Sequence, residues 1–272
     1  MSGWRLVLRA QPRLRVDARA LQPSSLSGLT PAEVERVSLR QGRDAVLLAE
    51  LFDIDRFDGS STAQLVIEGD LSRFDHVGWG MSEGELRVRG SVGDYAGAAL
   101  AGGHITIEGN AADLAACAMR GGWLEVHGDV GDLAGAALPG EMDGMRGGTL
   151  VVRGNAAARL ADRMRRGTVV VFGNVGDLMA SRMVAGTIAL AGRCGIHPGW
   201  GMRRGSIVFA GPAPVVAPTF VPLHSNADVF WQLLARDLAQ FGGPFATLAQ
   251  RRLRRHAGDV AMLGKGELLI PD

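Results

Sequence analysis

Apolar and polar positions alternate in a 13-residue phrase that recurs seven times between Gly78 and Gly211. Each copy places a Met or Leu, a Gly, two alternate aliphatic residues and a closing Gly at fixed positions. The closing glycines fall 19 residues apart, except for one gap of 26 that holds a seven-residue insertion. Self-similarity at a fixed period of this length predicts a solenoid. An incomplete earlier copy, Leu65–Gly69, begins the array.

Each copy contains a short stretch with strand periodicity. In Thr149–Gly154, Leu150 and Val152 share one face, whereas Val151 and Arg153 take the other. A 19-residue unit has no apolar run of helical period, so we expect coils of strands and turns that stack in register. The stacking predicts three buried rows: Leu86/Ile105/Leu124/Leu150/Val169/Ile188/Ile207, Val88/Ile107/Val126/Val152/Val171/Leu190/Phe209 and Met81/Leu100/Met119/Met145/Met164/Met183/Met202.

The predicted fold is therefore all-β: a single-stranded parallel β-helix of coils of about 19 residues, with an N-terminal cap and a small helical C-terminal extension. The cap is expected over residues 1–62, the β-helix over 63–211, and an extended linker with the helical extension over 212–272. A cap is expected because the first coil of a solenoid otherwise exposes strand edges.

Local signals place elements at both ends of the chain. Trp4–Arg9 and Ala45–Leu51 are predicted strands, and Thr30 is a predicted N-cap with Pro31 at the first helical position and Glu33 three residues on. After the extended Pro212–Pro218, the sequence predicts these further elements: a helix over Ala227–Phe241 capped by Asn226, a second helix over Phe245–His256, and an edge strand at Leu268–Ile270.

Composition excludes several classes of function. The formal net charge of +1 argues against nucleic acid as a main partner, because phosphate binding requires a basic face. Cys117 and Cys194 lie too far apart for a metal motif and are expected to be small buried residues. No stretch approaches the roughly 20 apolar residues of a membrane span, and the N-terminus lacks an apolar signal region. We expect a cytoplasmic protein without a membrane partner.

Two rows of polar residues lie in the connectors between copies. Their positions fit either a ladder of calcium ligands or turn-forming side chains that bond nearby backbone. Calcium-binding β-rolls repeat every nine residues or so with a different glycine pattern, so we favour the turn interpretation. The rows are Asp70/Asn110/Asp129/Asn155/Asn174 and Asp94/Asp113/Asp132/Asp177.

A His-x-Gly-Trp-Gly-Met segment occurs near both ends of the array, at 76–81 and 197–202. The two sites lie about six coils apart, or ~30 Å, so they cannot share one small ligand. Packing or partner contact is the favoured explanation for the aromatic pairs. The alternative is that the second segment binds an anionic or aromatic group of a cofactor through His197, Trp200, Arg203 and Arg204.

Two further segments are candidates for partner binding. The insertion around Leu138-Pro139-Gly140-Glu141 must bulge from one corner of the stack, and insertions in solenoids often lie on a binding face. A tolerated surface loop is the alternative. The basic run at Arg251, Arg252, Arg254 and Arg255 is suited to an acidic partner, although a solvated helix end is the commoner explanation.

The sequence contains no local motif for catalysis. The glycines lack the strand–GxGxxG–helix context of a dinucleotide site, and no His/Cys/Asp cluster has zinc spacing. No serine stands in a nucleophile elbow. We therefore predict no catalytic residue and no metal site in this chain, and a scaffold rather than an enzyme.

The repeated phrase resembles that of the C subunit of formylmethanofuran dehydrogenase, a family that shares its β-helix with the carboxy-terminal domain of glutamate synthase. The resemblance covers 63–211; Leu138–Glu141, Gly144–Gly148 and His197–Gly201 narrow it to the C subunit. Lys265 is the only lysine against 28 arginines, which suggests a GC-rich genome. The chain is thus most similar to the C subunits of the bacterial formyltransferase/hydrolase complex of methylotrophs.

This resemblance implies a complex that moves a formyl group from formyl-tetrahydromethanopterin to a methanofuran-type carrier and hydrolyses it to formate. It implies hetero-oligomeric partners: an amidohydrolase-like A subunit, a B subunit and a formyltransferase D subunit, which would hold the carrier, the pterin and the metal. The resemblance implies no catalytic residue in this chain. Two alternatives stay open: the C subunit of a molybdenum or tungsten formylmethanofuran dehydrogenase, and a free-standing β-helical interaction module.

Overall fold

The computed structural model describes residues 2–58, 62–223 and 228–271, and within them the chain is mostly β. In these ranges four α-helices form, together with 3₁₀ turns at Gly243–Phe245 and Leu248–Gln250. The helices are α1 (Pro23–Leu26), α2 (Pro31–Glu35), α3 (Leu48–Leu51) and α4 (Asp228–Ala239). The strands are β1 (Ser2–Leu8), β2 (Val16–Asp17), β3 (Ser38–Gln41), β4 (Asp44–Leu47), β5 (Phe52–Asp58), β6 (Gln64–Glu68), β7 (Phe74–Asp75), β8 (Glu85–Arg89), β9 (His104–Ile107), β10 (Trp123–Val126), β11 (Arg146–Val152), β12 (Arg166–Val171), β13 (Thr187–Leu190), β14 (Arg204–Phe209), β15 (Val221–Leu223), β16 (Leu253–Gly258) and β17 (Lys265–Pro271).

Thirteen of these strands make one large sheet in the order β15-β16-β17-β14-β13-β12-β11-β10-β9-β8-β6-β1-β5. Every neighbouring pair from β17 to β1 is parallel, and only the pairs at the two ends are antiparallel. The register confirms the first predicted row, since Leu86 pairs with Ile105 and the pairing continues to Ile207. The row also extends beyond the repeats, to Leu65 at one end and Leu268 at the other.

A second parallel ladder runs alongside the sheet through single bridges, one in each repeat. Its members are Leu71, Val92, Ala111, Val130, Ala156, Val175 and Cys194. The polar rows lie next to it, and their side-chain oxygens accept backbone N–H groups of the following repeat. Asn155 Oδ1, for example, accepts from the amide of Asn174 at 2.8 Å, and Asp113 Oδ1 accepts from Asp132 at 2.8 Å. These side chains join successive repeats, except Asp70, which accepts the amide of Ser72 in its own turn at 3.0 Å.

The third predicted row is confirmed as fully buried. Each methionine methyl group lies under a glycine of the following repeat: Met119 Cε is 2.7 Å from the position that a β-carbon would take at Gly148. The same arrangement joins Met164 to Gly186 at 2.8 Å. Where a methionine stands in one repeat, its methyl group thus leaves no room for a side chain at the facing glycine of the next, as at Gly148, Gly167, Gly186 and Gly205.

The N-terminal segment covers the first repeat. β1 pairs in parallel with β6 and in antiparallel with β5, which places Trp4 beside Leu65. The predicted helix start is confirmed: the amide and hydroxyl of Thr30 both donate to the Glu33 carboxylate at 2.7 Å. The predicted strand over Ala45–Leu51 is wrong in its second half, because β4 ends at Leu47 and α3 follows.

The C-terminal segment differs more from the prediction. The predicted helix over Ala227–Phe241 corresponds to α4, whereas Asn226 and Ala227 lie outside the described residues. α4 packs through Trp231, Ala235 and Leu238 on the outer face of the large sheet, on the row of Val151, Val170, Ala189 and Val208. None of the helices in the described ranges is long and apolar enough to cross a membrane.

The second predicted helix, Phe245–His256, is wrong. The chain there makes two 3₁₀ turns and then β16, which pairs along its length with β17. Cross-strand pairing outweighs helix propensity because β17 continues the large sheet from β14 and presents a free edge to β16. The predicted edge strand at Leu268–Ile270 is consequently an interior strand.

Candidate functional site

The insertion after Ala137 is anchored at one end and exposed at the other. Leu138 packs on a small cluster with Ala98, Cys117 and Ala136, whereas Pro139, Gly140 and Glu141 are exposed. The insertion then delivers Met142, 72% exposed, and Asp143 to the neighbouring repeats. Asp143 accepts two hydrogen bonds from Arg165 Nη1, at 2.8 and 2.9 Å. The predicted corner loop thus contacts the surface of the following repeat through Asp143 and Arg165.

Two adjacent cavities, of ≈ 570 and ≈ 240 Å³, share Asp143, Arg165, Val184 and Arg203 in their linings. We call the combined depression the arginine cleft. Its lining includes seven arginines: Arg146, Arg163, Arg165, Arg166, Arg182, Arg203 and Arg204. The candidates Arg203 and Arg204 are thus brought together with five arginines that were not singled out from the sequence.

The repeat pattern explains the shape of the cleft. Consecutive copies carry Arg165-Arg166, Val184-Ala185 and Arg203-Arg204 at the same two positions. Stacked strands lie about 4.8 Å apart, so the two arginine pairs are about 9–10 Å from one another across an apolar floor. Aligning the copies by row, rather than reading each copy alone, would have revealed this arrangement.

His197 and Trp200 stand at a corner beside the cleft. His197 is exposed and adopts a left-handed backbone conformation with φ 57°, and the Trp200 side chain is 55% exposed. The backbone of Trp200 accepts a hydrogen bond from the amide of Arg182 at 2.7 Å. Gly201, the next residue, lines the cleft, whereas His197 does not.

The equivalent corner near the start of the array is covered. His76 stacks on Tyr95 with ring centroids 5.0 Å apart, and Trp79 meets it edge-on at 5.1 Å. Arg19 lies over the Trp79 ring at 4.7 Å and contacts His76 Nε2 at 3.1 Å. Burial lowers the pKa of His76 below its usual range, against the opposing effect of Asp17. The aromatic side chains of this first segment pack within the chain, in agreement with the packing part of the favoured explanation.

The arginines of the basic run near the C-terminus differ in exposure. Arg251 donates to the carbonyl oxygens of Ala210 and Pro271 at 2.6 and 2.5 Å, and Arg255 pairs with Glu267 at 2.5 Å. Arg252 and Arg254 are exposed. Because the run lies on a turn and a strand instead of a helix, its arginines do not form one patch at a helix end.

The two cysteines differ in their surroundings. Cys117 is buried, and burial raises the pKa of its thiol to about 12. Cys194 is partly buried in the bridge ladder, and burial raises its pKa as well. The expectation of burial is therefore met fully at Cys117 and in part at Cys194. Across the described residues, no three His, Cys, Asp or Glu side chains come together as a metal-binding group.

A buried acidic residue not singled out from the sequence lies below the cleft. Asp162 is 4% exposed and accepts hydrogen bonds from Arg182 Nε at 3.0 Å and Ser181 Oγ at 2.6 Å. Arg159 Nη2 adds a third contact at 3.2 Å. Asp162 stands at the second position of the repeated phrase, where the last copy has Trp200. Because this position is not acidic in every copy, the repeat pattern does not predict an ion pair there.

Comparison with known proteins places the chain in a family. The family described as GXGXG motif matches residues 36–216. The C subunit of the formyltransferase/hydrolase complex Fhc of Methylorubrum extorquens is 43% identical over 88 residues, which is 32% of each chain. The C subunit of the tungsten-containing formylmethanofuran dehydrogenase 2 of Methanothermobacter marburgensis is 32% identical over 97 residues, 35% of this chain and 36% of that one. The chain thus spans about a third of the length of the curated relatives it matches.

A solved structure matches over nearly the full length. It is the X-ray crystal structure of the formyltransferase/hydrolase complex (FhcABCD) from Methylorubrum extorquens in complex with methylofuran. One of its chains is similar with a TM-score of 0.89 and 40% sequence identity, over 98% of this chain and 99% of that chain. The chain belongs to the GXGXG motif family and is a homologue of the C subunits of formylmethanofuran dehydrogenases and formyltransferase/hydrolase complexes.

Proposed function

We propose that this chain is the non-catalytic scaffold subunit of a complex that transfers a formyl group from formyl-tetrahydromethanopterin to a methanofuran-type carrier and hydrolyses it to formate. The observation that carries the proposal is the likeness, at 40% identity over 98% of the chain, to a chain of the formyltransferase/hydrolase complex. A likeness over 98% of the chain leaves little of it for a different role.

The partners that follow are an amidohydrolase-like A subunit, a B subunit and a formyltransferase D subunit in a hetero-oligomer. The carrier, tetrahydromethanopterin and the metal would lie on those chains. Support comes from the neighbouring structure, which is a complex with methylofuran. Under this proposal the present chain positions the other subunits and contributes no reacting group.

The non-catalytic role is supported by how the reactive side chains are used. The Cys117 thiol, with its pKa raised to about 12, stays protonated and is a poor nucleophile at neutral pH. Carboxylates such as Asp113 and Asp132 accept backbone amides of the next repeat. His76 is enclosed by Trp79 and Tyr95. These four side chains are occupied in packing or in bonds within and between the repeats.

We also infer the architecture behind this role: a single-stranded parallel β-helix in residues 63–211, with 1–62 as its N-terminal cap and 212–272 as its C-terminal extension. The two parallel ladders and the methionine row, each advancing one member per repeat, support a continuous winding. The extension combines α4 with the antiparallel pair of β16 and β17.

The candidate site residues differ in how well the structure supports them. Arg203 and Arg204, which line the arginine cleft, are the stronger candidates for an anionic group, with Trp200 and His197 at its border. The exposed Pro139, Gly140 and Glu141, anchored by Leu138, suit contact with a partner protein. In the basic run, Arg252 and Arg254 are exposed. Arg251 bonds two backbone carbonyl oxygens, and Arg255 pairs with Glu267.

The alternative function is that of the C subunit of a molybdenum or tungsten formylmethanofuran dehydrogenase, in which redox centres lie on other chains. This alternative is supported by the 32% identity to the C subunit of the tungsten-containing dehydrogenase. The 43% identity to the C subunit of the formyltransferase/hydrolase complex, over an alignment of similar length, favours the hydrolytic complex instead. A free-standing β-helical interaction module is the second alternative.

Native purification from the source cell separates the three functions. The tagged chain is purified, every accompanying subunit is identified by mass spectrometry, and the preparation is analysed for molybdenum and tungsten. The proposal predicts an amidohydrolase-like chain and a formyltransferase without a pterin-bound metal. Recovery of a molybdopterin subunit with iron–sulfur partners moves the assignment to the dehydrogenase. A chain recovered alone contradicts both.

A further inference from the structure

The arginine cleft concentrates positive charge beyond what the chain itself neutralises. Among the described residues of the lining, Asp143 is the only acidic one, and it lies within ion-pair distance of both Arg165 and Arg146. Within the described ranges no carboxylate lies within 4.0 Å of Arg166, Arg203 or Arg204. Like charges held this close repel one another, so an acidic occupant would relieve the repulsion and gain charge-assisted hydrogen bonds.

The borders of the cleft expose large apolar side chains. Met142 is 72% exposed, Met262 48% and Leu263 55%, and all three line the cavities alongside the arginines. Trp200, next to the lining residue Gly201, is 55% exposed. Tryptophan, methionine and arginine are enriched at protein–protein interfaces, where apolar anchors lie beside charged groups. A small anion would use the arginines and leave these side chains in water.

The floor of the cleft sets the shape of the occupant. Val184 and Ala185 lie between the Arg165–Arg166 pair and the Arg203–Arg204 pair, which are about 9–10 Å apart at the backbone. A carboxylate placed above the floor can reach guanidinium groups from both sides. The turn that carries Met262 and Leu263 is fixed at one side by Asp259, whose carboxylate accepts the amide of Gly201 at 3.0 Å.

We propose that the arginine cleft is the docking surface for an acidic segment of another protein subunit. The segment places Asp or Glu side chains between the two arginine pairs and apolar side chains against Met142, Met262 and Leu263. The inference deepens the proposed function, because membership of a hetero-oligomer rests on it. It identifies which of the chain's surfaces meets a partner and what the partner must present there.

The first test is charge reversal in the complex purified from the source cell. The double variant Arg203→Glu/Arg204→Glu is compared with Arg120→Glu/Arg193→Glu, which reverses two exposed arginines outside the cleft lining. The cleft variant should lose at least about tenfold in recovery of one particular subunit, because the reversal sets like charges against each other across the interface. The control should retain every subunit. Equal recovery with both variants overturns the proposal.

Folding and carrier binding are measured on the same variants. An unchanged thermal midpoint of the isolated variant chain shows that subunit loss does not arise from misfolding. If the midpoint of Arg203→Glu/Arg204→Glu falls, Met262→Gln replaces that double variant in the test. Binding of methylofuran to the purified complex is measured in parallel. If the cleft variant keeps all subunits and loses only carrier affinity, the occupant is the carrier and the docking proposal is overturned.

The second test identifies the occupant directly. A photo-crosslinking amino acid is placed at Leu263 in the intact complex, and the linked peptide is sequenced. The proposal predicts one peptide of another subunit, rich in Asp and Glu around the linked residue. A basic peptide, or no link above that of an equivalent probe at Arg193, overturns it. If the linked subunit belongs to a redox complex, the proposed function fails while the docking surface stands.

Discussion

The methyl carbon of Met145 lies 2.8 Å from the position that a β-carbon would occupy at Gly167, in the following repeat. Gly167 also has φ +103°, a backbone conformation that L-residues resist. The methionine and the glycine of the repeated phrase are therefore coupled between neighbouring copies and not within one copy. This coupling explains why both residue types recur together with a fixed period.

Replacement of Gly167 by alanine tests that coupling. Gly167→Ala should lower the free energy of unfolding by about 2–4 kcal/mol, since left-handed strain adds to overpacking against Met145 and the carbonyl oxygen of Gly148. Gly140→Ala is the matched control, because Gly140 has φ +85° with nothing within 4 Å of the added carbon. It should cost only the strain, about 1 kcal/mol. Denaturant unfolding of both variants gives the comparison, and equal losses would contradict the packing explanation.

The buried carboxylate below the cleft provides a second prediction. Asp162→Ala removes the acceptor for Arg182, Arg159 and Ser181, and leaves the partly buried guanidinium groups without it. We expect a loss of about 2–3 kcal/mol in the free energy of unfolding. Asp143→Ala, which breaks a more exposed pair with Arg165, should cost less than about 1 kcal/mol. Thermal melting that ranks the two variants in the opposite order would be inconsistent with this network.

Stability should depend on pH through the covered aromatic corner. Burial holds the pKa of His76 below its ordinary value of 6.5, and Arg19 lowers it further, whereas Asp17, Asp75 and Asp94 oppose the shift. The unfolded chain therefore binds a proton that the folded chain excludes, and the free energy of unfolding should fall as the pH drops below about 6.5. His76→Gln should flatten that decline. Urea titrations from about pH 7.5 to about pH 5 measure the slope.

His256 is the appropriate comparison for the pH experiment. Burial and the neighbouring Arg254 also lower its pKa, so His256→Gln should remove its own part of the same decline. The two substitutions should act independently, because His76 lies near the first repeat and His256 near the last strands. An unchanged slope in both variants would rule out these histidines as its source.

The C-terminal helix provides a fourth prediction. Ala235 is fully buried where α4 packs on the outer face of the large sheet, next to Val170 and Val208. Ala235→Glu places a charge in this contact and should detach α4 from the sheet. Proteolytic cleavage around α4 should become at least about tenfold faster, equivalent to about 1.4 kcal/mol of local stability. Arg236→Glu, at an exposed position of the same helix, should leave the rate unchanged.

Periodicity was enough to predict much of the packing. The alternation in Thr149–Gly154 and the 19-residue spacing determine which side chains stack, and the pairing of Leu124 with Leu150 across the insertion agrees with that register. The helix start at Thr30 was also predictable, because the capping interaction is local. These features depend on residues close in sequence or on strict repetition.

Features that depend on particular contacts between repeats were not predictable in this way. The run after Phe245 has helix-compatible composition, and only the free edge of β17 makes Leu253–Gly258 a strand. The arginine cleft requires a loop from one copy, side chains from the next three copies and a turn at the C-terminal end. The hydrogen bonds of Arg251 likewise depend on backbone carbonyls that lie 20 and 41 residues away in the sequence.

The most direct test of the scaffold role is the rate of formate release per assembled complex. The purified complex is compared with one in which this chain carries Cys194→Ala and His197→Ala, since Cys194 is the more accessible of its two thiols and His197 is an exposed imidazole. Mass spectrometry first confirms an equal stoichiometry of subunits. A scaffold without reacting groups predicts the same rate for both. A fall of about tenfold or more in an intact complex, equivalent to about 1.4 kcal/mol of transition-state stabilisation, would place a catalytic group on this chain and contradict the account.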